Sequence, residues 1–169
     1  IECFAKTIPL IDSSDIHRTR EQVNQYKKYL LSSGTKRPSY TSVKEIELTI
    51  PSSFSPHQIP IRIYRPNSAK THSAIYLNFH GGGFIFGDLD SDHARSLAIA
   101  YNCEILSITI DYRLAPEHPY PAALEDSYST LQWISINASE LGIDPSKIIV
   151  GGGSAGGNLA ASVSLMSRD

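Results

Sequence analysis

The chain has 169 residues, 41% of them hydrophobic, and a formal net charge of -2 at pH 7. This balance fits one globular domain with a substantial core, and the near-neutral charge favours neither nucleic acid nor an anionic membrane surface as a partner. No apolar run approaches the roughly 18–20 residues of a membrane-spanning helix, and the first residues lack a basic-then-apolar secretory signal.

A helix is predicted over residues 15–31. Its apolar residues fall roughly on one face: Ile16, Val23, Tyr26, Leu30 and Leu31. Ser13 or Ser14 is expected to cap its start. The sequence leaves open whether this helix belongs to a core or forms a flap over a binding site.

From residue 43 the hydrophobic period changes to that of strands. Residues 43–50 and 61–65 alternate in polarity, which predicts two strands paired as an antiparallel hairpin at the edge of a sheet. Residues 74–79 are more continuously apolar, as expected of a buried central strand. The remaining elements are predicted in this order: helix 91–102, strand 103–110, helix 122–141 closed by Gly142, and strand 147–150. Strand–helix repetition favours an α/β fold, a mostly parallel sheet with helices on its faces.

Three glycines follow the central strand, in the run from His80 to Phe84. Three consecutive glycines cost conformational entropy, which is offset where the backbone itself must approach another group. Their N–H groups would then line an oxyanion hole, and the alternative is a plain glycine-rich loop. His80 is a candidate base, but we favour a loop-bracing hydrogen bond because a residue at a strand end is poorly placed to reach a nucleophile.

A second glycine-rich turn separates the apolar run 148–150 from a helix-like segment at 158–166. Residues 152–156, Gly-Gly-Ser-Ala-Gly, fit the G-x-S-x-G nucleophile elbow. Small neighbours let strand and helix approach closely while Ser154 projects into a cleft, and the helix N-terminus offers N–H groups to an oxyanion. The alternative is a glycine- and serine-rich loop without chemistry.

Two other groups of residues bear on metal binding and on the redox compartment. Acidic residues and a histidine cluster after the first glycine run and suggest a metal site: Asp88, Asp90, Asp92 and His93. We favour an ordinary loop there, with no metal or cofactor. The isolated cysteines, Cys3 and Cys103, lack metal or redox spacing, which indicates a reducing compartment, and hence a cytoplasmic location, or unpaired buried thiols.

Four segments, in their order along the chain, resemble the hormone-sensitive-lipase-like branch of the α/β hydrolases. They are His-Gly-Gly-Gly-Phe at 80–84, Asp-Tyr-Arg-Leu-Ala-Pro-Glu at 111–117, Tyr-Pro-Ala-Ala-Leu-Glu-Asp at 120–126 and Gly-Gly-Ser-Ala-Gly-Gly at 152–157. The resemblance implies the α/β-hydrolase fold and a serine carboxylesterase that acts on small acyl esters without a cofactor. It makes Ser154 the nucleophile and assigns the oxyanion hole to the N–H groups of Gly82, Gly83 and Ala155.

The resemblance also implies a division of the chain. Residues 1–40 would form an N-terminal helical cap over the acyl site, and residues 41–169 the N-terminal half of the hydrolase core. In this fold the acid and the histidine of the triad follow the serine. After Ser154 there is no histidine, and the one acidic residue is Asp169.

We therefore expect that this is the N-terminal half of a larger enzyme, completed by a C-terminal half or a complementing chain. The 169 residues alone should be inactive or nearly so, and the strand at 147–150 should be left as an unpaired edge. A second departure is Gly153, where the family usually has an acidic residue. Two other functions remain open: a non-catalytic small-molecule-binding relative, and an amidase or deacetylase that uses the same serine. The sequence does not indicate an oligomeric state.

Overall fold

The computed structural model describes residues 15–34 and 38–168. The chain divides into two units, Ile1–Arg37 and Pro38–Asp169. In the first unit, helix α1 spans Ile16–Ser32, as predicted. Asp15 caps it, because its carboxylate accepts a hydrogen bond from the Arg18 N–H at 2.9 Å.

The expectation of a serine cap was therefore wrong, and Ser13 and Ser14 themselves lie outside the described residues. Cys3, Asp169 and the side chains of Leu30 and Leu31 also lie outside them. The role of α1 as a cap over a binding site stays a prediction.

The second unit alternates strands and helices after an initial hairpin. Its strands are β1 (Val43–Pro51), β2 (Gln58–Pro66), β3 (Ser73–Phe79), β4 (Leu106–Ile110) and β5 (Ile143–Gly152). Its helices are α2 (His93–Cys103), α3 (Ala122–Ile136), α4 (Ala138–Leu141) and α5 (Ala155–Met166). None of the described helices is both long and apolar enough to cross a membrane.

The five strands form one sheet in the order β1-β2-β4-β3-β5. β1 and β2 pair antiparallel at one edge, and β2 also runs antiparallel to β4. β3 lies between β4 and β5 and is parallel to both. The predicted edge hairpin and the predicted central position of β3 are confirmed.

Helices cover both faces of this sheet. Ile63 and Tyr64, neighbours on β2, point to opposite faces, and each is almost completely buried. Ile63 joins the larger core, in which α5 packs on β3 and β5 and α3 packs on α5. Tyr64 joins a smaller cluster with Leu97 and Ala100 of α2. Burial on both faces fixes the register of the central strands.

Two boundaries differ from the prediction. Cys103, expected to open a strand, is the exposed last residue of α2, so it is not a buried thiol. Glu104 follows in the left-handed conformation and delays the strand to Leu106. The helix expected over 122–141 is divided at Asn137. The Asn137 side-chain amide donates to the Trp133 carbonyl at 2.8 Å, beside the backbone N–H of the same residue at 2.9 Å.

Strand β5 ends the sheet in the described part of the chain. It pairs with β3 on one side, and no described strand pairs with its other side. Ile149, in the middle of β5, is 50% exposed, and Leu165 on the neighbouring helix α5 is 57% exposed. Both observations agree with the expected open edge at residues 147–150.

Candidate active site

Ser154 occupies a sharp turn between β5 and α5. Its backbone has φ 52° and ψ -118°, a conformation that is strained for a residue with a side chain, and its side chain is exposed. Any side chain on Gly152 or Gly156 would overlap the backbone carbonyl of Phe79 at the end of β3. The glycines on both sides of Ser154 thus let the strand, the turn and the helix pack backbone against backbone.

The first glycine run lies beside this turn. A β-carbon built on Gly81 would be 3.0 Å from the Gly153 carbonyl oxygen and 3.8 Å from the Ser154 β-carbon. Gly82 has φ 130° and Gly83 φ 60°, which glycine adopts without strain. The Gly82 carbonyl accepts hydrogen bonds from the N–H groups of Ile85 and Phe86, which closes the loop as a tight turn.

Three backbone N–H groups at this place have no acceptor in the described part of the chain. They belong to Gly82, Gly83 and Ala155, the residues predicted to form the oxyanion hole. Ala155 opens α5, where helix geometry leaves the first N–H groups without intrahelical partners. Such N–H groups and the positive end of the helix dipole are suited to bind an oxygen that carries negative charge.

His80 supports the glycine loop through hydrogen bonds and ring stacking. It is completely buried, its Nδ1 lies 2.8 Å from the Gly81 carbonyl oxygen, and its ring stacks on Tyr112 with centroids 4.1 Å apart. Tyr112 donates a hydrogen bond to the His80 carbonyl at 2.7 Å. Burial, together with the nearby charges of Asp92 and Asp111, raises the pKa of the Tyr112 hydroxyl far above its ordinary value, so it remains a donor. These contacts agree with the bracing role expected of His80.

The loop between β4 and α3 is fixed by a buried ion pair. Arg113 contacts both carboxylate oxygens of the completely buried Asp126, at 2.8–3.1 Å, and its own N–H donates to the same carboxylate at 2.9 Å. These hydrogen bonds raise the pKa of Arg113. The Ala115 N–H donates to the Phe84 carbonyl at 2.9 Å, so this loop holds the glycine loop in turn.

A cavity of about 380 Å³ opens next to Gly83 and the start of α5. Its walls are mainly apolar and include Phe84, Leu124 and Leu159, while Asn158 and Ser162 bring polar groups to one side. Small-molecule sites combine apolar walls with a few polar groups in this way. The cavity therefore offers a mainly apolar space beside Gly83 and the first turns of α5.

The other histidines are held in other surroundings. His93 is buried, with Nε2 2.8 Å from the Pro38 carbonyl oxygen and Nδ1 3.0 Å from the Tyr64 hydroxyl. His57 and His118 face each other with ring centroids 6.4 Å apart. No described histidine forms a hydrogen bond with the Ser154 side chain.

The alternative metal site does not assemble. Asp90 contacts Arg62 at 2.7 Å, and Asp92 accepts a hydrogen bond from Asn78 at 3.2 Å. Asp88 accepts hydrogen bonds from within its own loop. Among the described residues no group of three or more histidine, cysteine, aspartate or glutamate side chains is arranged to hold a metal ion.

Sequence reasoning did not assign roles to Tyr112 and Asp126. Each lies within a segment that carried the family resemblance, but spacing alone could not show that they brace the glycine loop. A further residue it did not single out is Arg95, whose guanidinium lies beside Gly153. Nothing in the local sequence pattern connects these two positions.

A sheet whose strand ends in a strained serine turn beside a glycine loop is typical of α/β hydrolases. The chain belongs to the α/β-hydrolase fold family, whose family model matches residues 76–169. It is similar to the carboxylesterase NlhH of Mycobacterium tuberculosis, with 44% identity over 111 residues, and to an arylesterase of Saccharolobus solfataricus, with 36% identity over 149 residues. Those matches cover 66% and 88% of this chain.

Solved structures give the same result. The chain matches a bacterial heroin esterase with a TM-score of 0.88 and 33% identity over 99% of this chain, and a hyperthermophilic esterase from Pyrobaculum calidifontis with a TM-score of 0.83 and 33% identity. The chain spans 52% and 51% of those structures, and 35% and 47% of the two curated relatives. These relatives support the predicted hydrolase family and fold.

Proposed function

We propose that these residues belong to a serine carboxylic-ester hydrolase in which Ser154 is the nucleophile. The single observation that carries the proposal is the conformation of Ser154, strained and exposed at the start of α5 beside the loop of Gly81. Backbone strain at an exposed serine, maintained by glycines that permit no side chain, is expected where a hydroxyl must be presented to a substrate. The relatives named as esterases support the same conclusion.

The proposed reaction has four steps. The Ser154 oxygen bonds to the acyl carbon of the ester, its proton passes to a base, and the carbonyl oxygen becomes an oxyanion. The N–H groups of Gly82, Gly83 and Ala155 stabilise that oxyanion, and each such donor is worth about 3–4 kcal/mol in the transition state. The bond to the alcohol then breaks, the alcohol leaves with the proton, and water releases the acid.

The cavity beside Gly83 suits a small apolar group of the ester. Its volume of about 380 Å³ and its mainly apolar walls, which include Phe84, Leu124 and Leu159, favour short acyl or aryl groups at that position. No described histidine forms a hydrogen bond with the Ser154 side chain, so none is assigned as the base. We infer that a histidine oriented by an acid is supplied by another part of the protein or by a complementing chain.

Ester hydrolysis by the protein expressed from its complete gene tests the proposal. With 4-nitrophenyl butyrate as substrate, Ser154→Ala should lower kcat by at least about 10³-fold. Ser164→Ala is the matched control, since Ser164 is an exposed serine on α5 that donates to the Ala160 carbonyl of its own helix. Equal activity of Ser154→Ala and the wild type would contradict the proposal.

A further inference from the structure

Arg62 is a charged side chain buried in the sheet, and the proposed reaction does not use it. It lies on β2, between β1 and β4, and is only 5% exposed. A buried charge is costly unless it is paired and hydrogen-bonded. The Arg62 Nε donates to Glu47 at 2.8 Å, and Nη1 donates to Asp90 at 2.7 Å and to the Leu89 carbonyl at 3.0 Å. The guanidinium therefore joins β1 to the segment that contains Leu89 and Asp90.

That segment is the far end of the connection 80–92, which begins with the glycine loop and leads from β3 to α2. Arg62 contacts it at two adjacent residues, at Leu89 through the backbone and at Asp90 through the side chain. The guanidinium is planar and its donors point in fixed directions, so two such contacts fix the position of the segment as well as its distance.

Gly87 carries the position of this far end back to the start of the connection. It has φ 128°, and a β-carbon built on it would overlap the His80 ring and lie 3.0 Å from the Gly81 carbonyl oxygen. The backbone at Gly87 therefore packs directly on the first residues of the connection. The glycine loop is thus closed at its base by Gly87 and anchored two residues later by Arg62.

We propose that Arg62 is a positioning residue for the oxyanion hole, because it anchors the connection that carries the N–H groups of Gly82 and Gly83. The proposal rests on the hydrolase function proposed above. Oxyanion donors act on the charge that develops in the transition state, and they must be held to within about 0.5 Å. Loss of the anchor should therefore lower kcat and change KM little.

Two carboxylates of matched exposure separate this role from a merely structural one. The side chains of Asp90 and Glu47 are 61% and 60% exposed, and both pair with Arg62, but only Asp90 belongs to the connection 80–92. In the protein expressed from its complete gene, with 4-nitrophenyl butyrate as substrate, Asp90→Ala should lower kcat about five- to tenfold and change KM less than about twofold. Glu47→Ala is the matched control. It should lower the Tm by a similar amount and leave kcat unchanged.

Hydrogen exchange gives a second measurement that does not depend on activity. The N–H groups of Ile85 and Phe86 donate to one carbonyl within the glycine loop, so their exchange rates report on the order of that loop. Exchange should be faster in Asp90→Ala and unchanged in Glu47→Ala. Arg62→Lys keeps the charge but loses the planar fork, and it should show both effects of Asp90→Ala.

The role of Arg62 and the esterase function fail in different ways. Equal kcat values and equal exchange rates in Asp90→Ala and Glu47→Ala would overturn the role of Arg62 and leave the esterase function intact. No turnover by the wild type would overturn the esterase function, and the role of Arg62 in it. A loss of kcat together with faster exchange in Asp90→Ala, absent from Glu47→Ala, supports both.

Discussion

The carbonyl group of Phe79, at the end of β3, lies against the α-carbon of Gly156 in the first turn of α5. A methyl group at residue 156 would overlap that carbonyl. The contact joins the strand that leads into the glycine loop to the helix that follows Ser154. It thereby sets the distance between the two halves of the candidate oxyanion hole.

Gly156→Ala should destabilise the protein by about 2–4 kcal/mol, because the β-carbon forces β3 and α5 apart. Gly157→Ala is the matched control on the next residue, where a β-carbon would lie 3.4 Å from the Gly152 carbonyl oxygen. In a helix this second change should be neutral or stabilise by up to about 1 kcal/mol. Urea denaturation of both variants measures the difference, and equal losses would contradict the close packing at Gly156.

Tyr112→Phe should cost about 1–2 kcal/mol at neutral pH, because it removes a buried hydrogen bond to the His80 carbonyl. It should also change the alkaline stability. The folded state raises the pKa of Tyr112 from 10.0, so above about pH 10 the unfolded chain releases a proton that the folded chain keeps. The free energy of unfolding of the wild type should fall with pH in that range, and that of Tyr112→Phe should fall less steeply.

Urea denaturation at a series of pH values between 8 and about 11 tests this, with the unfolded pKa of tyrosine as the reference. Two parallel curves for the wild type and Tyr112→Phe would show that Tyr112 ionises equally in both states. That result would contradict the burial of its hydroxyl.

Asp126→Asn should destabilise by about 2–4 kcal/mol, because it leaves the charge of Arg113 without its buried partner. Asp144→Asn breaks an exposed pair with Lys147 and should have little effect. The Ala115 N–H, in the same loop as Arg113, donates to the Phe84 carbonyl at the end of the glycine loop. Asp126→Asn should therefore also loosen the glycine loop and lower ester turnover. Thermal unfolding and a 4-nitrophenyl butyrate assay measure both effects, and equal losses for the two variants would contradict the structural role of Asp126.

Residues 1–169 expressed alone should show no Ser154-dependent ester turnover, because no described histidine is hydrogen-bonded to the Ser154 side chain. The comparison is with the protein expressed from its complete gene, assayed at equal concentration with 4-nitrophenyl butyrate. The Ser154→Ala form of residues 1–169 serves as the blank. Turnover clearly above that blank would show that the described residues contain a base that the structure does not place near Ser154.

The sequence predicted the elements whose signals are local. Alternating polarity gave β1 and β2, and continuous apolarity gave the central strand β3. It failed where a single residue decided the outcome. Glu104 adopts a left-handed conformation that ends α2, and a predicted helix is divided at Asn137, whose side chain donates to the Trp133 carbonyl.

In the candidate site, too, local signals were predictable from the sequence and long-range contacts were not. Glycine spacing was sufficient to indicate Ser154 and the loop at Gly82, because backbone approach requires glycine wherever it occurs. Arg95 could not be predicted, since it lies 58 residues before Gly153 and comes near it only in the folded chain, where α2 packs on β2 and β4. Long-range contacts of this kind depend on sheet order, which periodicity does not determine.

The nucleophilic role of Ser154 is tested most directly by covalent labelling. The protein expressed from its complete gene is treated with diethyl 4-nitrophenyl phosphate, which phosphorylates activated serines, and is then digested and analysed by mass spectrometry. We predict a single diethylphosphoryl group on Ser154, loss of esterase activity in proportion to labelling, and no label in Ser154→Ala. Labelling of a different serine, or full inhibition with Ser154 unmodified, would contradict the proposed role.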